Sequence, residues 1–235
     1  MLPSQILAQN FTINTFGIFV LLGFLMFAFV VWGEGKKDGF SEERLFDLLL
    51  LSVFSAIFFS RLFYAFTTAT TFEALVNTTY KVWQPGYNLT GALVGSLIPI
   101  YVLCRLWKWS FYRIIDIFSL GVSLGLAMAL LGYVGLQGKF EFLFAFAGWV
   151  FLFAMLSSFR NSKFKSGYVF SIFLAITAIL GFAFFRDRQH LIFYGLLVTL
   201  SFVVFLFRWR LANYGDTFIE RIIGRIKSKT RRQEG

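Results

Sequence analysis

The sequence predicts an all-α integral membrane protein with about seven transmembrane helices, on the evidence of its composition and its apolar segments. Of the 235 residues, 58% are hydrophobic and 14% are charged, and 34 are Phe. Soluble domains carry roughly 25% charged residues, so a chain of this length could not hide so much apolar surface from water. The first 33 residues carry no charged side chain at all.

Seven segments are apolar enough and nearly long enough to cross a bilayer, which takes about 20 residues of helix. Each is apolar around most of its circumference, as a helix surrounded by lipid should be. The predicted spans are Phe16–Trp32, Leu45–Phe66, Leu89–Leu106, Ile114–Leu136, Phe142–Phe159, Ser166–Phe185 and Leu191–Phe207. We expect residues 1–210 to form one transmembrane domain.

The distribution of Lys and Arg predicts how the spans are oriented. One set of alternate loops, together with the C-terminal segment, holds 17 of the 22 Lys and Arg residues, and the other set holds 4. Positively charged loops stay in the cytoplasm. We therefore expect the N-terminus outside and the C-terminus inside, which requires an odd number of crossings.

The segment 211–235 after the last span has a pattern of its own. Apolar residues recur at helical spacing and basic residues lie between them: Phe218, Ile219, Ile222, Ile223 and Ile226 alternate with Arg221, Arg225, Lys227 and Lys229. This pattern is typical of a basic amphipathic helix that lies on the inner leaflet. The alternative is a solvated tail that only follows the positive-inside rule.

The net charge of +10 would suggest a nucleic acid partner in a soluble protein. Here the positive charges lie between and after apolar segments, so we expect a membrane partner and no nucleic acid. Cys104 is the only cysteine, which excludes an internal disulfide or a CxxC site. His190, the only histidine, has no Cys or His neighbour, so we expect no metal site and no cofactor.

Arg61, inside the second predicted span, is the sharpest candidate for a functional residue, because an ionisable residue within a span is costly. It lies roughly 8 Å from the outer end of the span, at about 1.5 Å per residue. Its guanidinium could grip a lipid phosphate through two hydrogen bonds, with Tyr64 on the same helix face. Alternatively, Arg61 snorkels to the headgroups or pairs with an outer acid such as Glu73 or Glu141.

Other candidates lie at the ends and along the faces of the third and fourth spans. Asp116 begins the fourth span at its inner end, where a carboxylate in the first turn suits the helix dipole, so we expect a structural role. Small residues allow helices to approach closely: Gly91, Ala92 and Gly95 in the third span, and Gly121, Gly125, Gly132 and Gly135 in the fourth.

In their order and spacing, these segments resemble the bacterial prolipoprotein diacylglyceryl transferase family over nearly the whole chain. Ser60–Tyr64 resembles the family's G-x-R-x-x-Y motif, and Trp83–Gly95 resembles its W-x-G-G-x-S-x-H-G-G-x-x-G segment. The remaining correspondences are Phe16-Gly17, the stretch 40–49, Asp116–Gly132 (D-x-x-A-P-x-x-x-L-G-x-x-x-G-R-x-G), Gly167–Arg186 and Leu191–Arg208.

The resemblance implies an enzyme of the bacterial plasma (inner) membrane that moves a diacylglyceryl group from phosphatidylglycerol to the lipobox cysteine of a preprolipoprotein. It implies two sets of site residues. The candidates for binding the lipid phosphate are Arg61, Tyr64, Asn88, Thr90 and Gly91. The structural positions of the motifs are Trp83, Gly86, Gly95, Asp116, Gly125 and Gly132.

The departures from the family motifs fall on the residues that would carry the chemistry. Thr90 stands where the motif has histidine, and its hydroxyl cannot act as a general base near neutral pH. Leu130 stands where the motif has arginine and cannot hold a phosphate. No residue between Gly167 and Phe185 is charged. We therefore assign no catalytic residue from the sequence and leave enzymatic activity open.

Three hypotheses remain. The first is a divergent transferase that uses Arg61 for the phosphodiester. The second is a non-catalytic protein of the same scaffold that binds phospholipid or lipoprotein. The third is an unrelated transporter, although such proteins usually carry more polar features within the membrane than Arg61 and Asp116 provide.

Overall fold

The computed structural model describes residues 5–8, 11–81, 86–138, 141–161, 166–184 and 193–207. Within these residues the chain forms a β-hairpin followed by eight helices. The hairpin pairs β1 (Gln5–Ala8) with β2 (Phe11–Asn14). The helices are α1 (Thr15–Lys37), α2 (Glu42–Thr68), α3 (Phe72–Tyr80), α4 (Leu89–Leu106), α5 (Phe111–Gln137), α6 (Glu141–Asn161), α7 (Tyr168–Phe184) and α8 (Phe193–Phe207).

Each predicted span overlaps one of the apolar helices, which confirms the helical, multi-pass membrane class. By length and composition, α1, α2, α4, α5 and α6 can each cross a bilayer. The apolar helices α7 and α8 are shorter. At about 1.5 Å per residue, the 17 residues of α7 rise less than the roughly 30 Å of a hydrocarbon core.

The β-hairpin departs from the all-α prediction, and the short helix α3 was not predicted. The hairpin is antiparallel, with Gln5 opposite Asn14 and Ala8 opposite Phe11, and its strands contain the β-branched residues that favour extended backbone. The nine-residue helix α3 follows α2 after three residues and is too short to register as a span. Thr71 caps it, because its Oγ1 accepts a hydrogen bond from the Ala74 N–H at 3.2 Å.

Helix α5 lies at the centre of the bundle. In its most apolar stretch 61% of the residues are buried inside the protein, against 11% for α1. Helix α1 packs closely against α5, where a Cβ added to Gly23 would lie 2.6 Å from the carbonyl oxygen of Gly125. Two backbones can meet this closely only because neither residue carries a side chain.

Helices α2 and α4 approach each other in the same way. A Cβ on Gly91 would lie 2.5 Å from the Phe59 carbonyl oxygen, and one on Gly95 would lie 2.7 Å from the Ser55 carbonyl oxygen. The Ser55 hydroxyl also donates a 2.7 Å hydrogen bond to the Gly95 carbonyl. These contacts bring the first two turns of α4 beside the middle of α2.

At the opposite end of the bundle, α1 and α6 are joined by ion pairs. Arg160 Nη2 lies 2.9 Å from Asp38 Oδ1, and Arg160 Nε lies 3.3 Å from Glu34 Oε2. The Arg160 side chain is only 13% exposed, so this pairing compensates a largely buried charge. The predictions for Trp83, His190 and the tail 211–235 lie outside the described residues.

Candidate functional site

The Arg61 side chain is the largest that is fully buried in the described part of the chain, with 1% of it exposed. Its Nη1 donates to the Gly86 carbonyl at 2.5 Å, and its Nη2 donates to the Lys81 carbonyl. Both carbonyls belong to the stretch between α3 and α4. The guanidinium therefore ties this stretch to α2 through two charge-assisted hydrogen bonds.

Two tyrosine rings also lie beside the Arg61 guanidinium. Its Cζ lies 5.8 Å from the centre of the Tyr64 ring and 5.2 Å from the centre of the Tyr87 ring. Gly86 has a φ of +117°, and a Cβ there would overlap the Tyr64 ring. A side chain at position 86 is thus opposed both by backbone conformation and by space.

Asn88 fixes the start of α4 next to α2. Its side-chain Oδ1 accepts a hydrogen bond from the Gly91 N–H at 3.1 Å, which caps the helix. The Asn88 backbone N–H donates to Ser60 Oγ at 3.0 Å, and Ser60 Oγ donates to the Asn88 carbonyl at 2.9 Å. Arg61, Tyr64, Gly86 and Asn88 therefore form one junction, which we call the Arg61 junction.

The structure describes partners for Arg61 that the sequence did not predict. The two described hydrogen bonds of the guanidinium go to backbone carbonyls rather than to a carboxylate or open headgroup space. Glu73 is exposed in the first turn of α3, and the Glu141 side chain lies outside what the structure describes.

A cavity of about 630 Å³ lies inside the bundle, within the range of small-molecule binding sites. Every helix except α3 contributes to its described lining, in which no residue is charged. The wall is formed mainly by aliphatic and aromatic side chains, including Phe27, Ala92, Leu93, Phe118, Leu130, Trp149, Phe173 and Leu197. Its lining suits an apolar ligand.

The few hydroxyl groups in the cavity wall do not create a polar site. Ser52, Ser96 and Ser119 donate to the Leu49, Leu93 and Ile115 carbonyls of their own helices, so their hydrogen-bonding needs are met locally. The Thr177 hydroxyl is buried and has no partner in the described structure. The sequence could not predict this cavity, because its wall is assembled from scattered apolar residues of seven helices.

The predicted site residues therefore separate into two groups. Arg61, Tyr64, Asn88 and Gly91 meet where α2 ends and α4 begins, with Thr90 in the first turn of α4. Leu130, in contrast, lies in the cavity wall. Leu89, the first residue of α4, also lines the cavity, so the cavity extends to the end of the bundle that holds the Arg61 junction.

Asp116 lies elsewhere and acts on a different helix from the one expected. Helix α5 begins at Phe111, so the prediction that Asp116 occupies its first turn is wrong. The carboxylate instead accepts from the Gly167 N–H at 2.5 Å and the Phe170 N–H at 2.7 Å. Asp116 thereby caps the N-terminus of α7, where the helix dipole favours negative charge.

Among the described residues, no group of three or more His, Cys, Asp or Glu is placed to hold a metal ion. Cys104, the one cysteine, is buried. What the fold and site define is a multi-pass membrane protein with an arginine-centred junction and an apolar cavity beside it.

The comparison with known families is specific. The family model for prolipoprotein diacylglyceryl transferase matches residues 4–134, more than half of the chain, and the chain belongs to this family. The matched residues run from the hairpin through nearly all of α5 and include Arg61, Thr90 and Leu130. The correspondences at Gly167–Arg186 and Leu191–Arg208 lie beyond the match.

Several curated relatives are phosphatidylglycerol–prolipoprotein diacylglyceryl transferases. The one from Ligilactobacillus salivarius is 26% identical over 50% of this chain and 44% of its own length. That from Oceanobacillus iheyensis is 26% identical over 50% of this chain and 41% of its own. The one from Thermotoga maritima is 27% identical over 51% of this chain and 41% of its own length. The chain thus spans less than half the length of the curated relatives it matches.

Proposed function

We propose that this chain is a phospholipid-binding membrane protein of the diacylglyceryl transferase family, and that it holds lipid without transferring it. The observation that carries the proposal is the cavity of about 630 Å³ with an uncharged described lining. An acyl chain that enters the cavity from the bilayer gains van der Waals contacts with its wall. Phosphatidylglycerol, named for the relatives, is the expected lipid.

The chemistry of transfer explains why we favour binding without transfer. When a cysteine sulfur attacks the glyceryl carbon, the departing glycerol phosphate carries negative charge that a cation must stabilise. Leu130 replaces the motif arginine and lies in the apolar wall. The Arg61 guanidinium is directed to two backbone carbonyls, and Thr90 offers no base near neutral pH.

A divergent transferase is the second candidate, and one observation favours it. Arg61 is retained beside Tyr64 at the end of the bundle that the cavity reaches. If the guanidinium exchanged its carbonyl partners for a phosphodiester, it could stabilise the leaving group. The substrate protein would then be a preprolipoprotein, as the names of the relatives imply.

One assay separates these candidates. Purified protein is incubated with phosphatidylglycerol labelled in its acyl chains and with a lipobox peptide, next to a bona fide family enzyme as control. We expect the label to remain with the protein through size-exclusion chromatography and none to reach the peptide. Labelled peptide would establish the second candidate, and failure to retain the label would refute lipid binding.

We also propose the topology of the chain in a bacterial inner membrane: seven crossings with the N-terminus outside and the C-terminus inside. The charge asymmetry of the loops and the seven apolar helices support it. The test uses single cysteines at two exposed positions in a Cys104→Ser background. Thr70→Cys should react with an impermeant maleimide in intact cells, and Ser110→Cys only after lysis. The reverse pattern would contradict the topology.

A further inference from the structure

The turn between α4 and α5 places a lysine where helices usually end on glycine. Lys108 has a φ of +58°, a left-handed conformation that costs a non-glycine residue stability. The Trp109 N–H donates to the Cys104 carbonyl at 2.8 Å, and the Lys108 N–H donates to the Arg105 carbonyl at 3.4 Å. This pair of bonds is the Schellman helix ending. The Lys108 side chain is exposed, so its burial does not offset the free energy that the left-handed conformation costs.

Two further cations and a cluster of tilted aromatic rings lie around this turn. Phe40 lies 4.6 Å from Trp109, and Trp109 lies 5.1 Å from Trp107, measured between ring centres. The Arg44 guanidinium lies 5.8 Å from the centre of the Trp107 ring, and Arg105 is exposed one turn before Trp109. Half-buried tryptophans with an apolar body and a polar edge are typical of the membrane–water boundary. We call Arg44, Arg105 and Lys108 with these rings the basic corner.

The cations of the basic corner make no described ion pair, although other cations nearby do. The described side-chain hydrogen bond of Arg105 goes to a neutral group, since its Nε donates to the Tyr101 hydroxyl at 3.4 Å. Ion pairs join Lys36, Lys37, Arg113 and Arg160 to Glu34, Asp38 or Glu42. Within the described residues, no ion pair includes Arg44, Arg105 or Lys108. Glu43 and Asp47 flank Arg44 on α2 but make no ion pair there, and the stretch 89–115 contains no acid.

The basic corner is separate from the Arg61 junction. Arg44 lies near the start of α2 and Arg61 near its end, 17 positions apart in the sequence, which corresponds to about 25 Å along a helix. The two sites therefore face opposite leaflets of the membrane. A ligand at one cannot be shared with the other.

We propose that the basic corner binds the headgroup phosphate of an anionic phospholipid in the leaflet on this side, with Trp107 and Trp109 lying against its glycerol region. The phosphate would accept hydrogen bonds from the guanidinium and ammonium groups. Each basic group near an anionic surface raises binding about fivefold. This need for charge explains a lysine at a position that favours glycine.

The test exploits the opposite effects that Lys108→Gly should have on stability and binding. The full chain is placed in nanodiscs that contain a minor fraction of phosphatidylglycerol or phosphatidylcholine with brominated acyl chains, which quench nearby tryptophans. We expect stronger quenching by the anionic lipid in the wild type, and loss of at least half of that excess in Lys108→Gly. The variant should melt at or above the wild-type temperature, because glycine relieves the strained turn.

Lys37→Ala is the matched control, because it also removes an exposed lysine from this end of the protein, but one that is paired with Glu34 at 2.6 Å. Lys37→Ala should show the same excess of tryptophan quenching by the anionic lipid as the wild type. Equal loss in Lys37→Ala would show a general surface charge effect and overturn the site, as would an unchanged excess in the double variant Arg44→Gln/Lys108→Gly. Abolition of the excess by inorganic phosphate at constant ionic strength would also overturn it, since the ligand would then be free phosphate.

Discussion

At the scale of single residues, Arg61 shows how backbone carbonyls and aromatic rings can surround an intramembrane charge. Its two terminal nitrogens donate to the Lys81 and Gly86 carbonyls, and the Tyr64 and Tyr87 rings lie beside it. A buried carbonyl without a donor is costly, so the arginine and the stretch between α3 and α4 stabilise each other. The guanidinium therefore holds the stretch between α3 and α4 against α2.

This mutual dependence leads to a prediction for Arg61→Ala. Loss of the guanidinium leaves two carbonyls without their donor, at about 1–3 kcal/mol each, so the free energy of unfolding should fall by about 2–6 kcal/mol. Arg113→Ala is the control. The Arg113 side chain is 53% exposed and its Nε lies 3.9 Å from Asp38 Oδ2. Its loss should lower the free energy of unfolding by about 0–1 kcal/mol. Denaturation of both variants in detergent measures the difference. Similar stability of the two would show that Arg61 does not support the fold.

The sequence made Arg61 a candidate functional residue, but it did not predict the partners of the guanidinium. An ionisable residue within a span is visible from composition alone. Every residue has a backbone carbonyl, so the sequence does not show which carbonyls will bind a side chain. The two that bind Arg61 belong to residues 20 and 25 positions after it. Asp116 shows the same limit, because its carboxylate caps a helix that begins more than 50 positions later.

At the scale of elements, the bundle depends on glycines that let helix backbones meet. Gly23 in α1 lies against Gly125 in α5. A methyl group there would meet the backbone rather than a flexible side chain, so the helices would have to separate. Association of helices in lipid relies on this close packing, because lipid chains are as apolar as the helices themselves.

We therefore expect Gly23→Ala to destabilise the protein by about 1–3 kcal/mol, the usual cost of overpacking. Gly33→Ala is the control in the same helix, since a Cβ there meets nothing within 4 Å. It should be neutral or should stabilise the helix by about 0.5–1 kcal/mol. Thermal melting of both variants checks the pair, and a Gly23→Ala protein as stable as Gly33→Ala would contradict the close α1–α5 contact.

The apolar helices could be predicted from the sequence because lipid imposes a length and a composition on each of them. Helix α3 could not, because it has only nine residues and none of them is buried. The hairpin escaped prediction because its strands have only four residues each. Short elements depend on contacts with the rest of the molecule, and these contacts cannot be predicted from the local sequence.

At the scale of the whole molecule, the scaffold forms an apolar cavity between helices that are far apart in the sequence. Its described lining runs from Phe27 in α1 to Leu197 in α8. The two ends of the bundle differ in chemistry, with the buried Arg61 junction at one and the exposed basic corner at the other. Such an arrangement suits a protein that engages lipid rather than one that passes a polar solute.

The most direct test of the central claim, that the cavity holds a phospholipid chain, is to fill it. Ala92→Phe places a ring in the cavity wall, and Val94→Phe, at a position 36% exposed, places the same ring on the outside of the same helix. Saturating phosphatidylglycerol should raise the melting temperature of the wild type and Val94→Phe by about 5–10 °C. Ala92→Phe should lose most of this shift. An equal shift in Ala92→Phe would contradict binding in the cavity.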